Sequence, residues 1–209
     1  MVTNKDPWNA SDALAVVENF VDEGMYEEAI RIAVETAKKA APSKLLLRYL
    51  EMATELRLLE TANSICDQWP ESSAAAYFSG RLLNQQRSDS PALQRLQQAI
   101  DTVGLDVETQ IMVRYYHALS ALRLGKMELF IADVFWAVKA KIDGAHVSDM
   151  ASVERYFAMA ICETDYKPGL AARFEEAVLT SPINDHSPKI AALLRVKAQE
   201  FRLLEGFST

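Results

Sequence analysis

The sequence predicts an all-α protein, and three observations lead to that class. Good helix formers such as Ala, Leu, Glu, Gln and Arg dominate the 209 residues, whereas Gly and Pro occur only seven times each. Apolar residues recur at helical spacing in successive segments. Gly, Pro and Ser stand between these segments, where such residues end or begin helices. We therefore expect about five antiparallel helix hairpins and one last helix.

The first two hairpins are separated by clear helix-breaking residues. A helical apolar pattern runs from Ala10 to Glu23, and Gly24 interrupts it. A second helix starts at Tyr26, and Pro42 ends it. Ser43 can cap the helix that follows, because its hydroxyl accepts from free backbone N–H groups. The predicted hairpins are residues 10–41, 43–70, 73–104, 106–142 and 149–182, and the capping helix is 187–205.

Later helices carry more specific signals. Gly80 lies inside an Ala-rich helix, at a point where a side chain would block the close approach of a neighbouring helix. The dipeptides Ser90-Pro91 and Ser187-Pro188 each read as a helix start, because Pro suits the first helical turn. Gly125 separates a long helix, which begins near Asp106, from the next one. Residues 106–142 therefore predict one hairpin.

The segment Val153–Pro182 is the clearest hairpin in the chain. Ala158 is a small residue midway along its first helix, while Phe174 and Ala177 mark the inner face of its second helix and Pro182 its end. A hairpin of this kind cannot bury both faces alone and needs stacked neighbours. The pattern recurs loosely upstream, which predicts a short helical solenoid that functions through its surface.

Composition excludes several classes of function. The formal net charge of −7 argues against a general nucleic-acid binder, because such proteins meet phosphate with Lys and Arg. No segment has the length and hydropathy of a signal peptide or membrane span, so we expect a cytoplasmic protein without membrane insertion. Cys66 and Cys162 lie in separate helical patterns and predict free thiols. Neither a metal nor a cofactor is expected.

Catalytic motifs are also missing from the sequence. It contains no Gly-rich phosphate loop, no HExxH pair and no nucleophile elbow. His117 lies within a helix among apolar residues, which favours a packed histidine over a catalytic one. We expect a protein that is not an enzyme, although residues assembled across helices could still form an active site.

The hairpin pattern resembles the tetratricopeptide repeat. In that family, the second helix of each hairpin opens on a small residue, and the repeat is about 34 residues long. The corresponding positions here are Ala29, Ala62, Ala92, Phe130 and Leu170, separated by 33, 30, 38 and 40 residues. Small residues at Gly80, Ala118 and Ala158 fit the middle of the first helix, whereas Val17 and Leu50 do not. The large residues Phe130 and Leu170 at two of the openings also depart from the pattern. The resemblance covers most of the chain and implies a right-handed superhelix.

The resemblance also implies a binding surface. Family members bind a peptide or another protein's helix in a concave groove lined by the first helix of each pair. The matching residues here are Arg48, Tyr77, Arg81, Asn84, Tyr115, Leu119, Arg123, Arg155 and Met159. Arg beside Tyr and amide side chains can hold a carboxylate and pack apolar groups, which predicts an acidic or C-terminal peptide as the ligand.

Other functions remain open at this point. An acidic helical-repeat chaperone, or a secretion-associated protein that shields an apolar segment of its cargo, would have a groove rich in Leu, Met and Tyr. A structural subunit of a larger assembly would instead use its convex face or its ends. The acidic first 30 residues and the basic last helix suggest self-association through the terminal helices, with two solvated faces as the alternative.

Overall fold

The computed structural model describes residues 10–39, 47–48, 50–51, 59–143 and 150–207, and the secondary structure of these residues is helical. The all-α prediction is confirmed. The helices are α1 (Ala10–Asp22), α2 (Tyr26–Lys39), α3 (Leu59–Gln68), α4 (Ser73–Gln85), α5 (Asp89–Asp101), α6 (Val107–Arg123), α7 (Met127–Ile142), α8 (Met150–Cys162), α9 (Leu170–Thr180), α10 (Ile183–His186) and α11 (Pro188–Phe207).

Most predicted helix limits agree with these bounds. Helix α5 begins at Asp89, one residue before the predicted Ser90-Pro91 start, and α11 begins at Pro188 as predicted. The single turn α10 has no counterpart in the prediction. Of the predicted third helix, four residues are described and are helical, whereas Pro42 and Ser43 lie outside the described residues.

Three helices end with the same backbone motif. Gly24, Arg87 and Gly125 have φ values of 76°, 60° and 72°. In each case the next N–H donates to the carbonyl five residues earlier, as in the bond of 2.8 Å from Lys126 N to Ala121 O. The prediction that Gly24 and Gly125 end helices is confirmed. Arg87 takes the same left-handed conformation with a side chain, which is less favourable for an L-residue than for Gly.

The described residues divide into two compact units, and the division falls inside α4. The first unit comprises the described residues up to Ser79 together with Asp101–Leu105. Within it, α2 packs against both α1 and α3. Its buried residues include Val17, Ala29, Leu50, Ala62 and Phe78. That residues 1–209 form a single repeat domain stays a prediction.

The second unit comprises residues 80–100 and the described residues from Asp106 onward. Helices α6 and α7 form a hairpin, and α8 packs against both of them. Helix α11 packs in the same way against α8 and α9, and the second helices α7 and α9 also contact each other. The same packing relation thus occurs twice in succession.

Buried aromatic rings connect these helices. Phe130 of α7 and Phe157 of α8 meet edge to face with their centroids 6.2 Å apart, and Phe174 of α9 stacks on Phe201 of α11 at 5.8 Å. All four rings are fully buried. Phe174 and Ala177 lie in this core, as predicted, while Ala158 is partly buried against it.

Gly80 permits a close contact between α4 and α5. A Cβ atom at this position would lie 2.6 Å from Leu96 Cγ and 3.2 Å from the Leu96 backbone N. Contacts shorter than about 3 Å do not occur between packed carbon atoms, whose favourable separation is about 3.5–4.0 Å. The predicted reason for a glycine at this position is therefore confirmed.

Two basic side chains bind the backbone at the end of α6. Lys167 Nζ donates to the carbonyl of Arg123, and Arg173 Nη1 donates to the carbonyl of Gly125. The last carbonyls of a helix have no partner within it and carry partial negative charge, so cations are favoured there. These contacts join the α6–α7 turn to the start of α9 and the segment before it.

Candidate functional site

The structure brings several predicted groove residues together in the second unit, but it encloses them. Asn84 of α4 is 2 % exposed, and its Nδ2 donates to Ser120 Oγ at 2.8 Å and to the Tyr116 carbonyl at 3.2 Å. The Arg123 side chain is 7 % exposed. These residues cross-link α4 and α6 inside the fold.

Arg123 is already surrounded by acceptors of the same chain. Its Nη1 lies 3.2 Å from Asp89 Oδ1 and 3.2 Å from the Asn84 carbonyl, and its Nη2 lies 3.7 Å from Glu163 Oε2. A guanidinium that already faces two carboxylates has little charge or hydrogen-bonding capacity left for a further carboxylate. The expected use of Arg123 as an anchor for an acidic peptide does not fit this geometry.

Three tyrosines pack beside this network. The Tyr115 ring centroid lies 4.9 Å from that of Tyr116 and 5.7 Å from that of Tyr156. Burial, with a further contribution from the Glu163 carboxylate, raises the pKa of Tyr115 to about 12. Burial also raises the pKa of Tyr116, while the charge of Arg81 opposes that rise. Tyr115 is a core residue, whereas Tyr116 and Tyr156 are partly exposed.

The predicted groove therefore needs correction at more than half of its residues. The side chains placed in it that are buried in the structure are Tyr77, Asn84, Tyr115, Leu119 and Arg123. Tyr115, Leu119 and Arg123 belong to α6, a helix with buried residues on several sides, and Asn84 of α4 bonds to α6 through Ser120 and the Tyr116 carbonyl. The expectation that they line an accessible surface is wrong for this structure.

The remaining predicted residues are more accessible. Arg48, in the first unit, forms ion pairs of 3.3 Å with Glu18 and 3.8 Å with Glu51. Arg81 is half-buried, whereas Arg155 and Met159 are exposed on α8. Arg155 borders a shallow depression of about 220 Å³, whose other lining residues are Glu154, Ala158, Lys189 and Ile190. Lys189 pairs with Glu154 at 3.0 Å, so this depression offers little unpaired charge besides Arg155.

A larger groove lies between the second helices α7 and α9, with a volume of about 740 Å³. It is lined by Met127, Glu128, Ile131, Ala132, Phe135, Arg173, Glu176, Ala177, Thr180, Ser181 and Pro182. Arg173 contacts the Gly125 carbonyl at one end, and the Phe135 ring lies 4.7 Å from the His186 ring at the other. The two helices therefore run in the same direction along the groove. We call it the α7–α9 groove.

Some polar groups of the α7–α9 groove already have hydrogen-bond partners within the chain, and others do not. Thr180 Oγ1 donates to the Glu176 carbonyl at 2.8 Å, Ser181 Oγ donates to the Ala177 carbonyl, and Arg173 binds the backbone as described above. Within the described part of the chain, the carboxylates of Glu128 and Glu176 have neither an ion pair nor a hydrogen bond. The groove therefore combines an apolar floor with two uncommitted negative charges.

This groove was not predicted from the sequence, although the apolar pattern of α7 indicates a second apolar face. Met127, Ile131 and Phe135 follow one another at four-residue spacing, while Phe130 and Val134 form a second apolar row that faces the core. A helix that is apolar on two faces requires cover on both, whereas an ordinary surface helix has one apolar face.

A buried ionic cluster connects α6 and α7. His117 Nδ1 donates to Asp133 Oδ2 at 2.6 Å, and Arg114 Nη1 donates to Asp133 Oδ1 at 2.9 Å. The Arg114 Cζ lies 4.2 Å above the centre of the Trp136 ring, a favourable cation–π contact. His117 Nε2 is buried, and it has no hydrogen-bond partner in the structure. His117 and Asp133 are 2 % exposed, so this cluster links two helices and does not line the grooves described above.

The described residues offer neither a metal site nor a membrane-spanning helix. No cluster of three or more His, Cys, Asp or Glu side chains in the described ranges could hold a metal ion. None of the helices in the described part is long and apolar enough to cross a membrane. No protein-family model, curated protein or solved structure matches the chain.

Proposed function

We propose that the chain is a non-enzymatic helical-repeat protein of tetratricopeptide type that binds a segment of another protein. The recurrent packing of α8 and α11, each against the two helices before it, supports this class. The five residues aligned at second-helix openings, Ala29, Ala62, Ala92, Phe130 and Leu170, are buried in the structure, which supports the repeat register. We also propose that the helix hairpins stack into a right-handed superhelix.

The α7–α9 groove is the observation that carries this proposal. Its volume falls within the range of about 300–1,000 Å³ that is typical of ligand sites. Its apolar residues come from two helices of fixed spacing, so the surface exists before a partner binds. We therefore place the main binding surface on the second helices, and no longer on the first helices that the resemblance implied.

Panning a random-peptide display library against the wild-type protein tests this function. Ala132 is an exposed groove residue, and Ala132→Trp would fill the groove with an indole ring. Ala172→Trp adds the same ring at an exposed position of α9 that does not line the groove. We expect enriched peptides to bind wild-type protein and Ala172→Trp equally, and to bind Ala132→Trp at least about tenfold more weakly, a loss of about 1.4 kcal/mol.

Enriched peptides that bind the two Trp variants equally would show that the groove is not the binding surface. Failure to enrich any peptide would count against peptide binding as a whole. Circular dichroism and thermal unfolding of both variants provide the folding control.

A chaperone-like role is the second candidate, and the groove lining favours it specifically. Met127, Ile131 and Phe135 give the groove the apolar character expected of a surface that shields a cargo segment. This role predicts that the protein, added in equimolar amount, prevents the aggregation of its cargo. A simple adaptor would bind the same segment without such protection.

A further inference from the structure

We infer that the α7–α9 groove binds a short amphipathic helix that carries Lys or Arg beside its apolar face. This inference rests on the proposed function, because it names the chemistry of the partner that the groove would take. It differs from the acidic or C-terminal peptide that the sequence suggested. Three features of the groove favour such a partner: its shape, its charge, and the hydrogen bonds already made by its other polar groups.

The floor of the groove favours an apolar helical face. Met127 and Phe135 are eight residues apart on α7, which corresponds to about 12 Å along the helix axis, or about two turns. A helix lying along the groove would present side chains at i, i+3 or i+4, and i+7 over this distance, which is the usual pattern of anchors in a helix-binding groove. The walls are themselves helices, so ridges of one more helix can pack between them.

The charge of the groove favours a basic partner. Glu128 and Glu176 belong to opposite walls, and neither carboxylate is neutralised by the described residues. Ion pairs occupy many other acidic residues of this unit, including Asp89, Asp133, Glu154 and Glu175. Lys or Arg residues flanking the apolar face of a bound helix would reach both walls. The net charge of −7 would also attract a basic segment over a longer range.

The other polar groups of the groove add little competing specificity. The hydroxyls of Thr180 and Ser181 donate to carbonyls of their own helix, and the Arg173 guanidinium is held at the Gly125 carbonyl. A partner carboxylate would meet Arg173 at one end only, and it would face Glu128 and Glu176 along the rest of the groove. Electrostatic complementarity of this kind selects partners more than it adds raw affinity.

Synthetic peptides with controlled charge test the inference directly. The probes are fluorescent peptides of about 14 residues with Leu at i, i+4 and i+7 spacing. They come in three matched forms, in which the positions beside the Leu face hold Lys, Gln or Glu. We expect the Lys form to bind about two- to thirtyfold more tightly than the Gln form, as two exposed ion pairs allow, and the Glu form to bind most weakly. Raising the salt concentration should reduce this preference, because exposed charges are screened.

Charge reversal in the protein provides the second measurement. The Glu128→Lys/Glu176→Lys variant should prefer the Glu peptide over the Lys peptide. The matched control is Glu23→Lys/Glu71→Lys, which makes the same change in net charge at two exposed carboxylates outside the groove lining. This control should keep the preference of the wild-type protein for Lys. If both variants change the preference equally, net charge alone explains it and the inference falls.

Other outcomes separate the inference from the proposed function. If the Lys and Gln forms bind equally and Ala132→Trp abolishes both, the groove binds peptides but the charge rule is wrong. If no charged form binds while display still yields groove-dependent peptides, the partner chemistry is wrong and the function stands. Salt-sensitive self-association in sedimentation that Ala132→Trp abolishes would identify a second copy of the chain as the occupant, which also overturns the inference.

Discussion

Replacing Gly80 with Ala tests the close approach of α4 and α5. The added methyl carbon would lie 2.6 Å from Leu96 Cγ and 2.9 Å from Leu96 Cδ2. Rotation of the Leu96 side chain alone cannot restore normal packing, because Leu96 is fully buried and its backbone N would lie 3.2 Å from the new carbon. Helices α4 and α5 would have to move apart.

Two effects of opposite sign determine the size of the change. Alanine in a helix interior is favoured over glycine by about 0.8–1.0 kcal/mol, whereas overpacking a core costs about 1–3 kcal/mol. Because the contact involves a backbone atom, we expect overpacking to cost about 2–3 kcal/mol, so that the free energy of unfolding falls by about 1–2 kcal/mol. In a chain of this size that corresponds to a decrease of about 2–8 °C in melting temperature.

Thermal and urea unfolding followed by circular dichroism measure this change. Gly206→Ala is the matched control, because Gly206 lies in α11 and a Cβ atom there would meet nothing within 4 Å. The control should leave the protein equally stable or slightly more stable. If Gly80→Ala is as stable as Gly206→Ala, the close approach of α4 and α5 is not a constraint and the reasoning fails.

Two further predictions concern buried polar groups. Asp133→Asn should destabilise the protein by about 3 kcal/mol, because it leaves Arg114 without its buried countercharge and weakens the acceptor of the His117 hydrogen bond. The same substitution at Asp143, which pairs with Lys139 on the surface at 2.6 Å, should cost less than about 1 kcal/mol, and equal effects in urea unfolding would contradict the cluster's role. The pKa of Tyr115 is about 12 in the folded chain and about 10 when unfolded, so the unfolded state loses this proton first and stability should fall between pH 10 and 12. Tyr115→Phe should lose less stability between pH 10 and 12 than the wild type, and an unchanged slope would refute the assignment.

Local sequence signals predicted the helices well because short-range chemistry determines where helices begin and end. Gly24 and Gly125 adopt the left-handed conformation that ends a helix, and Pro188 occupies a first helical position. The requirement for a small residue at Gly80 could also be predicted, since a glycine inside an otherwise good helix needs a packing reason. These signals depend on residues close together in the chain.

The proposed binding surface could not be predicted in the same way, because exposure depends on neighbours distant in sequence. Arg123 is enclosed by Asp89 and Glu163, which lie 34 and 40 residues away from it along the chain. The α7–α9 groove likewise requires two helices whose facing residues are more than 40 positions apart, such as Glu128 and Glu176. Helical periodicity places residues on faces, but it does not say which face a later helix will cover.

The contacts of Lys167 and Arg173 with carbonyls at the end of α6 affect which residues the α6–α7 turn can accept. Both basic side chains bind the main chain, so this joint does not depend on the side chains carried by the turn that it holds. Gly125 is the exception, because a Cβ atom there would lie 3.0 Å from Arg173 Nη1 and would strain a φ of 72°. The turn is therefore free to diverge in sequence at its other positions while successive hairpins keep the same spacing, provided that one residue continues to lack a side chain.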